Sequence, residues 1–164
     1  MRSPCLHHWR PRGFTLVELL VTLVILGILA SASMPMVQLA FRRHKEEILL
    51  RSLNSIRDAL DAYKQAAVQG HIAVDPLDSG YPPNLTVLVT GVDDALSPTP
   101  RKLYFLRRIP SDPFADDAVR GEEDTWGKRS YESDYRQPRE GSDVFDVHSR
   151  SSEIGLNGIP YSEW

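Results

Sequence analysis

The sequence predicts an α+β fold in which one long N-terminal α-helix packs on a small C-terminal antiparallel β-sheet. Residues 14–41 are almost entirely apolar, which suits a transmembrane first half of the helix, and the apolar residues after position 45 recur at helical spacing, which suits an amphipathic second half. Two stretches near the C-terminus have the composition of strands. A chain of 164 residues with a mean hydropathy of -0.30 fits one modest soluble domain that carries one apolar anchor.

The apolar segment contains one formal charge, Glu18. As a helix that rises about 1.5 Å per residue, the segment is long enough to cross a hydrocarbon core about 30 Å thick. A carboxylate in such a helix costs about 2.5 to 3.5 kcal/mol at the bilayer centre and less near an end. We therefore expect Glu18 to have a partner; the alternative is that it lies near the interface and reaches water.

The junction before this segment carries a specific motif. Positions 13–18 read G-F-T-L-V-E, follow Arg10 and Arg12, and lead directly into the apolar run. This arrangement resembles the class III signal of type IV pilins and type II secretion pseudopilins. The resemblance implies that a prepilin peptidase cuts after Gly13 on the cytoplasmic side and methylates the new terminal amine of Phe14.

The same resemblance divides the chain into three parts and implies a pilin-like fold. Residues 1–13 would be a cleaved leader, residues 14–41 a transmembrane and filament-core helix, and residues 42–164 a periplasmic body whose helix continues to about residue 69. In a filament, Glu18 of one subunit would meet the freed amine of its neighbour. Such a charge pair sets the axial register, because only one stagger of the two helices satisfies it.

Charge and cysteine content narrow the function classes. The formal charge of -3 comes from 19 basic and 22 acidic residues, and removal of the leader with Arg2, Arg10 and Arg12 leaves 16 basic residues and a charge of -6. An acidic body argues against nucleic acid as the main partner. The single cysteine, Cys5, lies in the leader, so the processed chain would have no disulfide, zinc site or thiol nucleophile.

Charge alone does not decide the orientation of the span. Three arginines precede it, and three basic residues, Arg42, Arg43 and Lys45, follow it, so the positive-inside rule gives nearly a tie. The family resemblance places the leader in the cytoplasm and the body in the periplasm. The alternative is an ordinary secretory signal peptide cleaved near the small residues 30–32, which would release a product without an anchor.

The helix is predicted to continue beyond the membrane. Pro35 predicts a kink because it lacks an amide donor and crowds the preceding turn, and pilin-like proteins have a proline at the same offset. Gly70 predicts the end of the helix. Between them, apolar residues at steps of four and three predict one buried stripe, formed by Leu49, Leu53, Ile56, Leu60, Tyr63 and Ala67.

The segment after the helix resembles the major, G-type pseudopilins. In that class a Tyr-Pro pair opens a short helix with the pattern Leu-x-x-Leu. Tyr81 and Pro82, followed by Leu85 and Leu88, match this pattern, and Asn84 is predicted to cap the short helix.

Residues 104–113, Y-F-L-R-R-I-P-S-D-P, are similar to the stretch that precedes a Trp-Gly pair in the same class. Here the pair comes late, at 126–127, after an acidic insertion over residues 116–125. Residues 130–135 alternate as a strand does, and residues 144–149 could be the returning strand. A hairpin or three-stranded sheet of this kind would bury its apolar face on the helical stripe.

Residues 149–164 correspond to the loop that holds calcium in major pseudopilins. The chain keeps the serine, glycines and tryptophan of that loop but lacks its aspartates. Calcium takes six to eight oxygen ligands, so only weak candidates remain, namely Glu153, Asn157 and Glu163. No cofactor is certain. Instead of a calcium site, we favour a loop that is held by packing of Leu156, Ile159 and Trp164 into the body.

No enzyme signature is found. Asp146, His148 and Ser149 resemble a Ser/His/Asp set, but adjacent positions on a strand point to opposite faces and cannot form a relay by spacing alone. An acidic group could bind a cation, although a charge run is more often a solvated loop. Its members are Asp112, Asp116, Asp117, Glu122, Glu123 and Asp124.

We therefore expect a structural subunit of a type II secretion pseudopilus that supports protein export across the outer membrane. The resemblance implies a bacterial inner-membrane location and three kinds of partner: prepilin peptidase, other pseudopilins, and an inner-membrane assembly platform with its ATPase. Two alternatives stay open. One is a type IV pilin or minor pilin, which commonly carries a C-terminal disulfide. The other is a membrane-tethered binding module that does not polymerise.

Overall fold

The computed structural model describes residues 13–116, 118–119 and 121–164, without the side chains of residues 32–35. The predictions for Cys5, for the leader arginines and for Asp117 lie outside the described residues. The chain divides into two compact units, one ending at Phe41 and one running from Arg42 to Trp164. Each unit is described by itself.

Helix α1, Leu16–Val68, is the long helix that the sequence predicts. In the first unit, all described side chains from residue 13 to residue 41 are exposed. The helix is continuous through Pro35. The kink at this position stays a prediction.

In the second unit, α1 buries the predicted stripe. All six stripe residues are at most 8% exposed, from Leu49 at 0% to Ala67 at 8%. They form one core cluster with residues from the rest of the body, among them Leu85, Leu88, Trp126, Val147 and Tyr161. The amphipathic half of the helix is therefore the wall on which the body packs.

Helix α1 ends at Val68, and Gly70 just beyond it is the stop that the sequence predicts. Gly70 has φ +82°, its amide donates to the carbonyl of Ala67 at 3.1 Å, and the amide of His71 donates to Ala66 at 2.9 Å. These two bonds form a Schellman motif, which needs a residue in the left-handed region and therefore favours glycine.

Helix α2, Thr86–Thr90, is the predicted short helix. Asn84 caps it as expected, because its Oδ1 accepts the amide of Val87 at 3.1 Å. Pro82 is fully buried, and Leu88 is buried in the core.

Two antiparallel pairs of strands complete the body. Strand β1, Val92–Asp93, pairs with β2, Lys102–Leu103. Strand β3, Trp126–Arg129, pairs with β4, Asp146–Ser149. Short 3-10 helices occupy Glu123–Thr125 and Tyr161–Glu163. The returning strand was predicted correctly to within two residues.

The predicted strand over residues 130–135 is wrong. The chain turns there, and Tyr131 and Tyr135 are 59% and 71% exposed. The carboxylate of Asp143 accepts the hydroxyl of Ser130 at 2.5 Å and the amide of Tyr131 at 3.0 Å. These bonds stabilise the turn. The strand that pairs with β4 is β3, which lies just before the turn in the chain.

Arginine side chains join α1 to the β3–β4 sheet. Arg57 of α1 donates to Asp146 at 2.8 Å and to the carbonyl of Val147 at 3.2 Å. Arg129 donates to the other oxygen of Asp146 at 3.1 Å. Asp146 therefore links the helix to both strands.

Gly127 of the Trp-Gly pair lies directly beneath a side chain of the facing strand. It pairs with His148, and a Cβ on Gly127 would lie 2.3 Å from His148 Nε2. Burial of this imidazole lowers the pKa of His148. The half-buried ring thus fills the space that a side chain at position 127 would need.

We expect Gly127→Ala to destabilise the body by about 1 to 3 kcal/mol, because the added methyl group overpacks the sheet against the imidazole. Urea unfolding of the full chain in detergent micelles, followed by tryptophan fluorescence, measures the change. In a His148→Ala background the same substitution should cost less than about 0.5 kcal/mol, since the overlapping ring is gone. An equal cost in both backgrounds would rule out this contact as the reason for glycine.

Candidate functional site

The candidate site begins where α1 begins. The amide of Glu18 donates to Thr15 Oγ1 at 3.2 Å, and the amide of Leu19 donates to the carbonyl of Thr15 at 3.1 Å. Thr15 is therefore the N-cap of the helix, and Glu18 occupies the third helical position. Sequence reasoning missed this role of Thr15, although a threonine three residues before a glutamate is the pattern of a capping box.

Gly13 and Phe14 precede the helix. Neither residue is helical, and the Phe14 side chain is 75% exposed. A Cβ added to Gly13 would meet no heavy atom within 4 Å among the described residues. Packing within the described chain therefore does not require a glycine at position 13.

The first unit presents an apolar surface on all sides. Among the described residues, one helix is long and apolar enough to cross a membrane, by length and composition, and its most apolar window has no buried residue. Its exposed large side chains include Phe14, Leu16, Val17, Leu19, Leu20, Val21, Leu23, Val24, Ile25, Leu26 and Ile28. A surface of this size and polarity is not stable in water and needs a cover of lipid or of other apolar helices.

The polar side chains of this segment differ in whether they have a hydrogen-bond partner within the helix. The hydroxyl of Thr22 donates to the carbonyl of Leu19 at 2.9 Å, and that of Ser31 donates to Gly27 at 2.8 Å. Both hydroxyls are thus satisfied inside the helix, as an apolar environment requires. Within the described part of the chain, no ion pair involves the exposed Glu18.

The three weak metal candidates lie on the C-terminal loop with separate contacts. Glu153 pairs with Arg42 at 3.3 Å, and Asn157 Oδ1 accepts the amide of Ile159 at 3.0 Å. Glu163 ends the last 3-10 helix. Across residues 13–116, 118–119 and 121–164, no group of three or more His, Cys, Asp or Glu side chains is placed to hold a metal ion.

The side chains predicted to hold this loop by packing contribute less than expected. Leu156 and Ile159 are 41% and 45% exposed, whereas Tyr161 is fully buried. Trp164 is partly buried against the core and meets the ring of Tyr161 edge-on at 5.1 Å. The main anchor of the loop is therefore Tyr161, which the sequence analysis did not single out.

The acidic group is not simply a solvated loop. Glu123 pairs with Lys128 at 2.6 Å, accepts the amide of Leu85 at 3.2 Å and accepts the hydroxyl of Thr86. Burial alone would raise the pKa of Glu123, but the bonds from Lys128 and Thr86 outweigh it and lower that pKa. Glu123 thus ties the insertion to the start of α2.

Asp146, His148 and Ser149 do not form a catalytic relay. Asp146 is engaged by Arg57 and Arg129, and the buried hydroxyl of Ser149 donates to Asp112 at 2.5 Å. The strand alternation predicted this separation.

Comparison with known proteins identifies the family. The prokaryotic N-terminal methylation motif matches residues 10–34. The chain is 33% identical over 116 residues to the type II secretion system core protein G of Pectobacterium carotovorum subsp. carotovorum. The aligned region covers 66% of this chain and 65% of that protein. The chain is 30% identical over 113 residues to the core protein G of Klebsiella pneumoniae, which covers 66% of this chain and 72% of that protein. The chain belongs to the type II secretion system core protein G family.

A third member of this family, from Escherichia coli (strain K12), is 27% identical over 115 residues and covers 67% of this chain and 71% of its own length. No solved structure matches the chain. The family is that of a pseudopilin, and the apolar helix makes this member a membrane-anchored one. The predicted resemblance to a major pseudopilin is therefore confirmed.

The stretch that resembles the G-type class forms a buried joint in the body. Asp112, 4% exposed, accepts the hydroxyl of Ser149 at 2.5 Å and the amide of Phe114 at 2.8 Å. The indole of Trp126 donates to the carbonyl of Pro110 at 2.7 Å. The insertion before the Trp-Gly pair does not disturb this joint. It ends in the 3-10 helix Glu123–Thr125, which leads directly into β3.

We expect Asp112→Ala to destabilise the body by about 1 to 3 kcal/mol, since it leaves the buried hydroxyl of Ser149 without its acceptor. The matched control is Asp116→Ala in the same loop. Asp116 also accepts an amide two residues on, that of Ala118 at 3.2 Å, but it is exposed. Its replacement should cost less than about 0.5 kcal/mol in the same urea titration. Equal costs would contradict the assigned role of burial at Asp112.

Proposed function

We propose that this chain is a processed and methylated subunit of a type II secretion pseudopilus that polymerises through α1 and supports protein export across the outer membrane. Prepilin peptidase cuts after Gly13 and methylates Phe14. The inner membrane stores the subunit with its body in the periplasm, and the assembly platform with its ATPase moves it into a filament with other pseudopilins.

The observation that carries this proposal is the apolar first half of α1, whose described side chains are exposed and which contains one carboxylate near its start. Lipid covers these side chains in the stored subunit, and the same halves of neighbouring subunits cover them in a filament. Packing between such helices does not by itself choose an axial stagger, because apolar side chains pack in many registers. An ion pair restricts the choice to one register.

Glu18 suits this role by its position. It lies in the first turn of α1, where its own helix dipole favours a negative charge, and its amide is already bound by Thr15. The freed amine of Phe14 would carry a positive charge only after cleavage, since the same nitrogen is a peptide amide in the uncut chain. Processing thus creates the partner of Glu18, which links assembly to cleavage.

The first test is mass spectrometry of the protein from cells that contain an active prepilin peptidase. We expect a chain that begins at Phe14 and carries one methyl group on its terminal amine. A chain that keeps residues 1–13 would contradict the processing step. A chain that begins beyond Ala32 would indicate ordinary secretion instead.

The second test is Glu18→Gln, which keeps the size of the side chain and removes its charge. We expect the yield of filaments to fall about tenfold or more, as a loss of about 1.4 kcal/mol per subunit contact produces. Cleavage and methylation of Phe14 should persist, which separates assembly from insertion. The control is Thr22→Val, because the Thr22 hydroxyl is satisfied within its helix. Normal assembly of the Glu18 variant would refute the register role.

A further inference from the structure

The C-terminal loop is held by one positive side chain of α1. Arg42 Nη2 donates to the carbonyl of Ile154 at 2.6 Å and to Glu153 Oε2 at 3.3 Å. Its Nε donates to the hydroxyl of Tyr161 at 3.2 Å. One guanidinium therefore gathers three oxygens of the loop, from a backbone carbonyl, a carboxylate and a phenol, as a bound cation would.

The next turn of α1 supplies the complementary acceptor. Glu46 Oε1 accepts the amide of Leu156 at 2.7 Å and the hydroxyl of Tyr161 at 2.9 Å. Arg42 and Glu46 are four residues apart and so lie on one side of the helix. Burial raises the pKa of Tyr161, so its hydroxyl keeps its proton and can donate to Glu46.

Aromatic side chains pack around Tyr161 at the same contact. The ring of Phe114 stacks on Tyr161 with centroids 4.1 Å apart. A Cβ on Gly155 would lie 2.6 Å from Trp164 Cζ2, so the indole covers the loop backbone there. Arg57 donates to the carbonyl of Trp164 at 2.8 Å and holds the end of the loop to α1 as well.

The donor set of the loop does not fit calcium. Calcium needs six to eight oxygens at about 2.3 to 2.6 Å, but Glu153 and the carbonyl of Ile154 already accept hydrogen bonds from Arg42, and Asn157 Oδ1 accepts a loop amide. Within the described residues, no buried side-chain nitrogen or oxygen lacks a hydrogen-bond partner. A second cation beside the guanidinium would also be repelled by its charge.

We propose that Arg42 and Glu46 close the C-terminal loop in place of a bound cation, so that the stability of the body does not depend on calcium. The arginine contributes the positive charge and the glutamate the acceptor, and Tyr161 connects them. This inference concerns the body alone, so it can fail while the assembly mechanism holds, and the reverse is also true.

The first experiment uses the full wild-type chain in detergent micelles and follows thermal unfolding by circular dichroism. We expect the same unfolding midpoint in calcium chloride and in the chelator EGTA, and no heat of binding when calcium is titrated into the protein. A lower midpoint in EGTA, or saturable binding of one calcium ion per chain, would overturn the proposal. This test involves no variant and so does not depend on whether a variant folds.

The second experiment compares Arg42→Met with Arg43→Met by hydrogen exchange. Arg43 is the exposed neighbour on the same helix, so both variants lose one positive charge. We expect the amides of Leu156 and Tyr161 to exchange about tenfold faster in Arg42→Met, as the loss of a hydrogen bond to a charged group predicts. Arg43→Met should leave both amides unchanged. Equal exchange in the two variants would also overturn the proposal.

Discussion

Burial of one stripe of α1 is the interaction on which the body depends. Strands of two to four residues cannot form a stable sheet alone, since a two-stranded ladder is at best marginal in water. Here the strands, α2 and the C-terminal loop place buried side chains against the same helical stripe. Arg57 and Asp146 then add polar bonds between that helix and the sheet. The same helix thus provides the framework of the body and the apolar membrane-anchoring segment.

The first half of the same helix follows a different rule. Its described apolar side chains are exposed, and in the proposed function lipid or other subunits cover them. A helix that can exchange one apolar cover for the other can leave the membrane for a filament at little net cost in apolar burial, because lipid and apolar side chains are similar solvents. Under the proposed function, the charge of Glu18 then decides register and the apolar surface supplies cohesion.

Polar contacts within the body join residues that are far apart in the chain. Arg42 and Glu46 reach the C-terminal loop across more than a hundred positions, and Asp112 reaches Ser149 across 37. The exposed Leu156 and Ile159 show that apolar packing alone does not close the loop.

Features that repeat at short range or occupy a fixed motif could be predicted from the order of the amino acids: the long helix, its buried stripe, the stop at Gly70, the cap at Asn84 and the motif around Gly13. Each depends on neighbours within about one or two helical turns, so its physical cause can be recognised in the amino-acid sequence. The segment that pairs with β4 and the contacts that hold the C-terminal loop could be identified only in the folded chain. The alternating side chains of residues 130–135 are compatible with a strand or a turn. The hydrogen bonds that Asp143 accepts from Ser130 and Tyr131 stabilise the turn. The partnership of Arg42 with the loop joins residues distant in sequence, and no local pattern encodes such a contact.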